Sequence, residues 1–283
     1  MTGMTNYTAD KWLAHVTGQI AYGSLPAVYL ALFTAVGTDA GTGFTEVSGG
    51  SYARVQVAGV ATTNGATTTS SATLSFASTP GWIVAGMSVY DTTTSASIGT
   101  VQSTTASTVV LTANASNAVG NGDTLSFSAW PQASGTGPAS LTNGAAINFV
   151  AATANWGTTI AFGLYDASSS GNLLIWDYIG NYNWLPCAIT AASPGVITAH
   201  AHGYNNGDSF IFSTEYGGTA PSFSAGNYTG VQTVAGQTTD TFNVTGVNTS
   251  SSGNGMVRKI IQQSIPSGVT ASFAGSTLTV TAA

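Results

Sequence analysis

The segment that decides the fold reads Pro26-Ala-Val-Tyr-Leu-Ala-Leu-Phe-Thr34. It is a short, continuous apolar run bounded by Pro26 and Gly37, and such a run predicts a buried strand. Shorter alternating runs surround it, and turn clusters rich in Gly, Ser and Asn separate them. Many short strands at this spacing predict a mainly β protein with an antiparallel β-sandwich core. The alternating runs lie at 52–57, 146–150, 159–165, 173–176 and 276–281.

One clear helix signal precedes this run, over residues 8–17. Thr8 or Asn6 is a suitable N-cap, and Gly18 ends the pattern. The sequence therefore predicts a short N-terminal helix with one apolar face. The apolar residues of that face are Trp12, Leu13 and Val16.

Two segments interrupt the frame and have the pattern of small inserted β modules. The first begins in a Thr-rich tract, and the second ends in a stretch rich in Ser and Gly. The sequence thus predicts a core in three parts, at 1–60, 133–180 and 258–283, with inserted modules at 61–132 and 181–257.

Both modules contain Asn-Gly-Asp directly before an alternating strand, at 121–123 and 206–208. Asn, Gly and Asp in this order favour a tight turn, because Gly adopts positive φ and Asx side chains bond the backbone. We interpret the shared motif as similar local geometry rather than as a duplication.

Charge is scarce: 5% of the 283 residues are charged, where about 25% is usual. The net charge is −6 and the basic residues form no run, which argues against nucleic-acid binding. The longest apolar stretch, 25–36, is too short to cross a membrane. Cys187 stands alone, so an internal disulfide is excluded and a buried, inert thiol is expected. The basic residues are Lys11, Arg54, Arg258 and Lys259.

Several strings resemble those of tailed-bacteriophage virion proteins, a group that includes tail-fibre and head-decoration proteins. The most specific string spans 26–54 and includes Ala40-Gly-Thr-Gly-Phe-Thr-Glu-Val-Ser-Gly-Gly50 and Tyr52-Ala-Arg54. The resemblance covers about half of the chain, outside the two modules, and implies a non-catalytic virion component exposed on the particle. The other strings lie at 6–15, 151–157, 162–166 and 265–280.

The sequence contains only weak patterns of the kind typical of enzymes and metal sites. His200 and His202 lie two apart on a predicted strand, as metal ligands can, but no further ligand completes a tetrahedral set. His15 is expected to pack or cap rather than act as a base. The sequence therefore predicts no enzyme, no cofactor and no catalytic or metal site. Four carboxylates could in principle supply the facing pair of a glycosidase: Asp166, Asp177, Asp208 and Glu215.

The aromatic residues leave two interpretations open. Trp156 and Trp176 lie in the frame, where core or subunit contacts are expected. Tyr204, Tyr216 and Tyr228 lie in the second module, where a core role and a sugar-stacking surface are equally compatible with the sequence.

We expect a bacteriophage virion protein, and first of all a capsid decoration protein that bridges capsomers as a homotrimer and contacts the major capsid protein. The alternative is a tail-fibre or tail-tip adhesin that contacts tail proteins and a host-surface glycan through its inserted modules. A carbohydrate-active tail enzyme is a third hypothesis. No repeat typical of long fibres is visible in the sequence.

Overall fold

A computed structural model gives a mainly β chain with one short N-terminal helix, a large antiparallel sheet and several smaller sheets. This confirms the predicted fold class. Leu25, which opens the longest apolar stretch, and Asn181, the predicted start of the second module, lie outside the described residues. The structure describes residues 3–19, 23, 26–133, 139–180 and 182–282.

One helix and many short strands follow one another along the chain. The first half of the chain contains β1 (Gly3–Met4), α1 (Asn6–Val16), β2 (Ala27–Ala35), β3 (Thr45–Glu46), β4 (Val55–Thr62), β5 (Thr73–Ser75), β6 (Ser88–Asp91), β7 (Ala96–Thr104), β8 (Thr108–Leu111), β9 (Thr124–Ser128) and β10 (Ala139–Thr142). The second half contains β11 (Ile147–Asn148), β12 (Thr158–Thr159), β13 (Ala161–Tyr165), β14 (Leu173–Tyr178), β15 (Leu185–Ile189), β16 (Val196–Thr198), β17 (Ser209–Ser213), β18 (Phe223–Ala225), β19 (Gln232–Thr233), β20 (Thr241–Asn243), β21 (Asn248–Thr249), β22 (Gly253–Ile260), β23 (Gln263–Ser264), β24 (Ser272–Phe273) and β25 (Thr279–Ala282).

The large sheet has the strand order β1-β14-β13-β2-β4-β9-β6-β7-β8-β5, and β3 also pairs with β2. Strand β2, the apolar run quoted above, lies inside this sheet between β13 and β4, with Leu30 opposite Leu164. Leu30, Ala31, Leu32 and Phe33 are all buried. The run is continuously apolar because both faces of β2 are covered.

Each face of β2 packs against a different core. Leu30 and Leu32 belong to the main core, which also holds Trp156 and the C-terminal residues Ile265 and Leu278. On the opposite face, Phe33 belongs to a second cluster, which extends to residues of β17 and β22. The large sheet is therefore a middle layer. The second cluster comprises Ala31, Phe33, Ile160, Ala161, Tyr165, Leu173, Trp176, Tyr178, Ile211 and Ile260.

The first predicted module extends the large sheet. Strand β4 crosses the predicted boundary at residue 60, and β9 pairs with it and with β6. Buried residues of this module, such as Leu74 and Phe127, share the main core with Leu30 of the frame.

The second predicted module forms a separate sheet with the order β19-β17-β22-β15-β16-β20. It encloses its own core, in which Phe210, Phe242 and Val257 are buried. The stretch rich in Ser and Gly before residue 257 is not a free hinge, since β22 runs through it to Ile260. The division into five segments remains a prediction.

The two Asn-Gly-Asp motifs form the same turn. Gly122 and Gly207 have φ values of +88° and +91°. In each turn the aspartate carboxylate accepts the backbone N–H of the residue three positions earlier, from Gly120 in the first module and from Asn205 in the second. The similar local geometry expected from the sequence is thus present.

The helix differs from the prediction in its start and in its surroundings. Its N-cap is Thr5, whose hydroxyl accepts the N–H of Thr8 at 3.4 Å, and not Thr8 or Asn6. Thr5 is favoured because its hydroxyl also donates to the carbonyl of Leu173, which ties the helix to β14. The apolar face is uncovered: Trp12 and Leu13 are each 52% exposed and Val16 is 55% exposed.

The Tyr52-Ala-Arg54 string has a structural role. The Arg54 guanidinium makes hydrogen bonds of 2.9 and 2.7 Å to the carboxylate of Glu46 and stacks 3.4 Å from the ring centroid of Tyr165. The Tyr52 hydroxyl donates to Glu46 at 3.0 Å and accepts the N–H of Leu32. These contacts join β2, β3 and β13 to the segment that leads into β4.

Candidate functional site

The two histidines of the second module do not face each other. His200 is almost fully exposed, and its Nδ1 lies 3.0 Å from the carboxylate of Asp240. His202 is buried against Phe242, and its Nδ1 accepts the N–H of Tyr204 at 2.9 Å. They occupy a turn rather than the predicted strand. Within the described residues, no group of three or more His, Cys, Asp or Glu side chains could hold a metal.

Three of the four candidate carboxylates have structural partners. Asp166 accepts the N–H of Asn172 in a turn. Asp177 pairs with Arg258 across two strands, and Asp208 pairs with Lys259. Glu215 borders a pocket on the second module, whose lining includes none of the other three carboxylates.

The structure shows which of the aromatic residues with two open interpretations are buried and which is exposed. Trp156 and Trp176 are buried, as expected. Tyr204 and Tyr228 are buried in the core of the second module, so neither offers an open stacking face. Tyr216 is 45% exposed, and it is the one of the three tyrosines that presents its ring to solvent.

A pocket of about 340 Å³ opens on the second module. Phe212 and Phe223 are half-buried in it, and the buried ring of Tyr228 lies between them, with centroid distances of 5.7 and 5.3 Å. Glu215 stands at the rim as its charged member. The hydroxyl groups along the wall belong to Ser213, Thr214 and Thr229.

Strand β17 and the neighbouring strand β22 position this pocket. Phe212 lies opposite Val257, and a Cβ atom on Gly255 would approach within 2.6 Å of the Phe212 ring. A glycine is therefore required for the ring to lie against β22. Burial raises the pKa of Tyr228 to about 12, so its hydroxyl stays protonated and lies 3.4 Å from the carbonyl oxygen of Gly195.

One tight turn links the pocket to an exposed aromatic pair. The N–H groups of Gly217 and Gly218 both donate to the carbonyl of Thr214, which closes the turn. Glu215 lies on the pocket side, whereas the ring of Tyr216 contacts Trp184 with a centroid distance of 5.7 Å.

The basic residues are committed elsewhere. Arg54 is paired with Glu46, and Lys259 reaches Asp208 at 2.6 Å. Arg258 makes contacts of 2.6 and 3.1 Å with Asp177 and lies almost fully buried under Trp184. The pocket lining therefore carries a carboxylate but no cation among the described residues.

Sequence reasoning missed Phe212 and Phe223 as pocket residues. Phe212 belongs to a predicted strand, and Phe223 carries no signal, because the aromatic residues meet only after the loop that follows β17 folds back. In the sequence, Glu215 is visible only as a candidate catalytic acid. The neighbouring glycines, Gly217 and Gly218, are the available signal for a turn at this position.

A β-rich chain with few charges and an aromatic pocket is typical of a structural or binding protein. The family described as podophage GP4 fiber I protein gp80 matches residues 3–130 and 123–182, which together exceed half of the chain. The chain belongs to this family of phage tail fibre proteins and is a non-enzymatic structural component of the virion tail. No curated protein matches the chain.

The family agrees with the expected virion protein and favours the tail-fibre alternative over capsid decoration. One expectation was wrong. The resemblance was expected to exclude both modules, but the match runs through 61–130, so the first module belongs to the family's own sequence. The match ends at residue 182, so nearly all of the second module and the C-terminal part of the frame, 258–283, lie beyond it. The helix of the described chain is too short and too polar to be a membrane span.

Proposed function

We propose that this tail fibre protein attaches the phage to its host and that residues 185–260 make the contact. The observation that supports the proposal is the limit of the family match. The match ends three residues before Leu185, where β15 begins, so the sheet of the second module lies outside the sequence matched to the family, as does the C-terminal segment 258–283.

The form of the second module suits an added recognition unit. It has its own six-stranded sheet and core, while long connections between β17 and β20 stay on the surface. Binding residues concentrate in loops held by a rigid scaffold. The pocket between Phe212 and Phe223 and the exposed ring of Tyr216 both arise from this loop region.

The chain also needs a way to join the tail, and we infer that it acts as a homotrimer in contact with other tail proteins. The exposed apolar face of α1 supports self-association, because Trp12, Leu13 and Val16 have no cover within the described chain. Exposed apolar patches of this kind commonly mark protein contacts.

Competition for adsorption tests the attachment role. Purified full-length chain is mixed with host cells before phage are added, and unadsorbed phage are counted. We expect the chain to bind the cells and to reduce adsorption. Thr229→Arg, which places a bulky charge at the pocket rim, should relieve this inhibition, whereas Val84→Arg, an exposed site in the first module, should not. A chain that neither binds cells nor reduces adsorption would overturn the proposal.

Sedimentation analysis tests the oligomer. We expect a trimer for the unaltered chain and a monomer for Leu13→Ser. Because α1 buries none of its own residues, this substitution should leave the fold intact, as circular dichroism can verify. A monomeric unaltered chain at micromolar concentration would refute the role of α1 in self-association.

A further inference from the structure

We infer that the pocket on the second module binds one unit of a neutral glycan, with a sugar ring against the phenylalanines and its hydroxyl groups on Glu215 and the wall. This inference rests on the attachment role proposed above and assigns its ligand class. The pocket volume of about 340 Å³ lies at the small end of the range for ligand sites, about 300–1,000 Å³.

The wall combines two kinds of contact that a sugar can use together. Phe212 and Phe223 are half-buried, so each offers part of its ring to the C–H face of a pyranose. Tyr228 lies behind them and holds both rings. Since these rings are already ordered by packing, little conformational entropy is lost when a ligand binds.

Polar groups surround this apolar floor. The Glu215 carboxylate can accept hydrogen bonds from sugar hydroxyls, and the hydroxyls of Thr214 and Thr229 can donate or accept. A hydrogen bond to a charged group is stronger than one between neutral groups, so Glu215 should contribute most to orientation.

Charge excludes an acidic glycan. The pocket lining holds a carboxylate and no basic residue among the described residues. The nearest basic residues along β22, Arg258 and Lys259, are engaged by Asp177 and Asp208. A sialic acid or a phosphate would therefore meet a carboxylate of like charge in this pocket, in a chain whose net charge is −6.

A quaternary ammonium ligand is the competing class, since aromatic rings and a carboxylate also bind such cations. A cation needs no hydroxyl partners, however, and the pocket lining has four hydroxyl-bearing residues besides Glu215. We therefore assign the neutral sugar, and choline serves as the contrasting probe.

We expect a single pocket to bind the sugar weakly, and several pockets on one particle to bind it more tightly together. Linking several sites on one particle raises the overall affinity by about 10²–10⁴ without any new contact. The binding assay must therefore detect millimolar affinity in the free chain.

Saturation-transfer NMR with the full chain tests the assignment. The probes are maltose, lactose, diacetylchitobiose, sialyllactose and choline. We expect transfer to at least one neutral sugar and none to choline, and sialyllactose should bind no better than lactose. Phe223→Ala should weaken binding about tenfold or more, because truncating a central aromatic anchor commonly has an effect of this size. Glu215→Gln should weaken it less and should not create binding of sialyllactose.

Phe273→Ala is the matched control, because Phe273 is also half-buried but lines a different pocket. It should leave sugar binding unchanged. Binding of choline alone, or equal sugar binding by the Phe223 and Phe273 variants, overturns the ligand assignment. If the chain still inhibits adsorption in that case, attachment stands and only the pocket is wrong. If it binds no cells at all, the attachment role itself fails.

Discussion

The partly buried ion pair between Asp177 and Arg258 predicts how firmly the second module is held to the frame. Asp177 belongs to β14 of the large sheet, and Arg258 belongs to β22 of the second module. The two contacts measure 2.6 and 3.1 Å, and a third contact of 3.3 Å runs from Arg258 to the carbonyl of Gly180. Asp177→Ala removes the counter-charge and leaves the guanidinium in place.

The expected loss follows from the burial of the two partners. Removing one partner of a fully buried pair costs about 3–5 kcal/mol. The Arg258 side chain is 5% exposed but that of Asp177 is 37% exposed, so water can solvate part of the site. We therefore expect a loss of about 2–3 kcal/mol in the free energy of unfolding. Arg258→Met in the same chain should recover part of it, since the apolar side chain needs no counter-charge.

Urea unfolding followed by tryptophan fluorescence measures this loss, because Trp176 and Trp184 lie on either side of the junction. The exposed pair of His200 and Asp240 supplies the control, and His200→Ala should leave the stability almost unchanged, because surface ion pairs contribute little. A loss for Asp177→Ala no larger than that for His200→Ala, or strict additivity with Arg258→Met, would refute the argument that this pair couples the two sheets.

Three further outcomes are expected. Trp156→Ala should lower the free energy of unfolding by about 3–5 kcal/mol, measured by urea titration, because the indole is buried in the main core. The Cys187 thiol, whose pKa burial raises to about 12, should react with Ellman's reagent only after unfolding. Burial opposes ionisation of Asp91, but hydrogen bonds from Thr94 and Thr93 outweigh it and lower its pKa. Asp91→Asn should therefore destabilise the chain at pH 7, and the difference should shrink as the pH falls below about 4 in acid titrations of stability; a constant difference would contradict this.

The strand pattern was predictable where burial alone decides it. The run at 26–34 is apolar on every residue from Ala27 to Phe33, and only a strand covered on both faces explains this at such a length. The sequence showed Tyr52-Ala-Arg54 as a distinctive string, but it did not show that both side chains bind Glu46. Hydrogen bonds between side chains of different strands produce no periodic pattern in a sequence.

The strands near the end of the second module could not be predicted from composition. Residues 248–255 look like a linker because they are rich in Ser, Asn and Gly. Two of these residues are instead part of β21, and Gly253 and Gly255 lie at the start of β22. The small size of Gly255 lets the Phe212 ring approach, and that of Gly253 lets Pro221 approach. The sequence alone does not distinguish a glycine that packing requires from a glycine in a flexible loop.

The contacts of the helix and of the pocket could not be predicted from the sequence either. The apolar periodicity at Trp12, Leu13 and Val16 predicts a helix face that packs against something, but it does not identify the partner. Within the described chain this face is exposed. The pocket needs Phe212, Phe223 and Tyr228 to meet across a loop, which no local pattern encodes.

The second module enters and leaves the frame through neighbouring strands, with Leu185 of β15 opposite Val257 of β22. Such adjoining ends would let one module be replaced by another without rerouting the rest of the polypeptide. A replacement would need apolar residues where Ile211 and Ile260 meet the large sheet, and a partner for Asp177. Under the attachment role proposed above, such an exchange would change which host surface the fibre recognises.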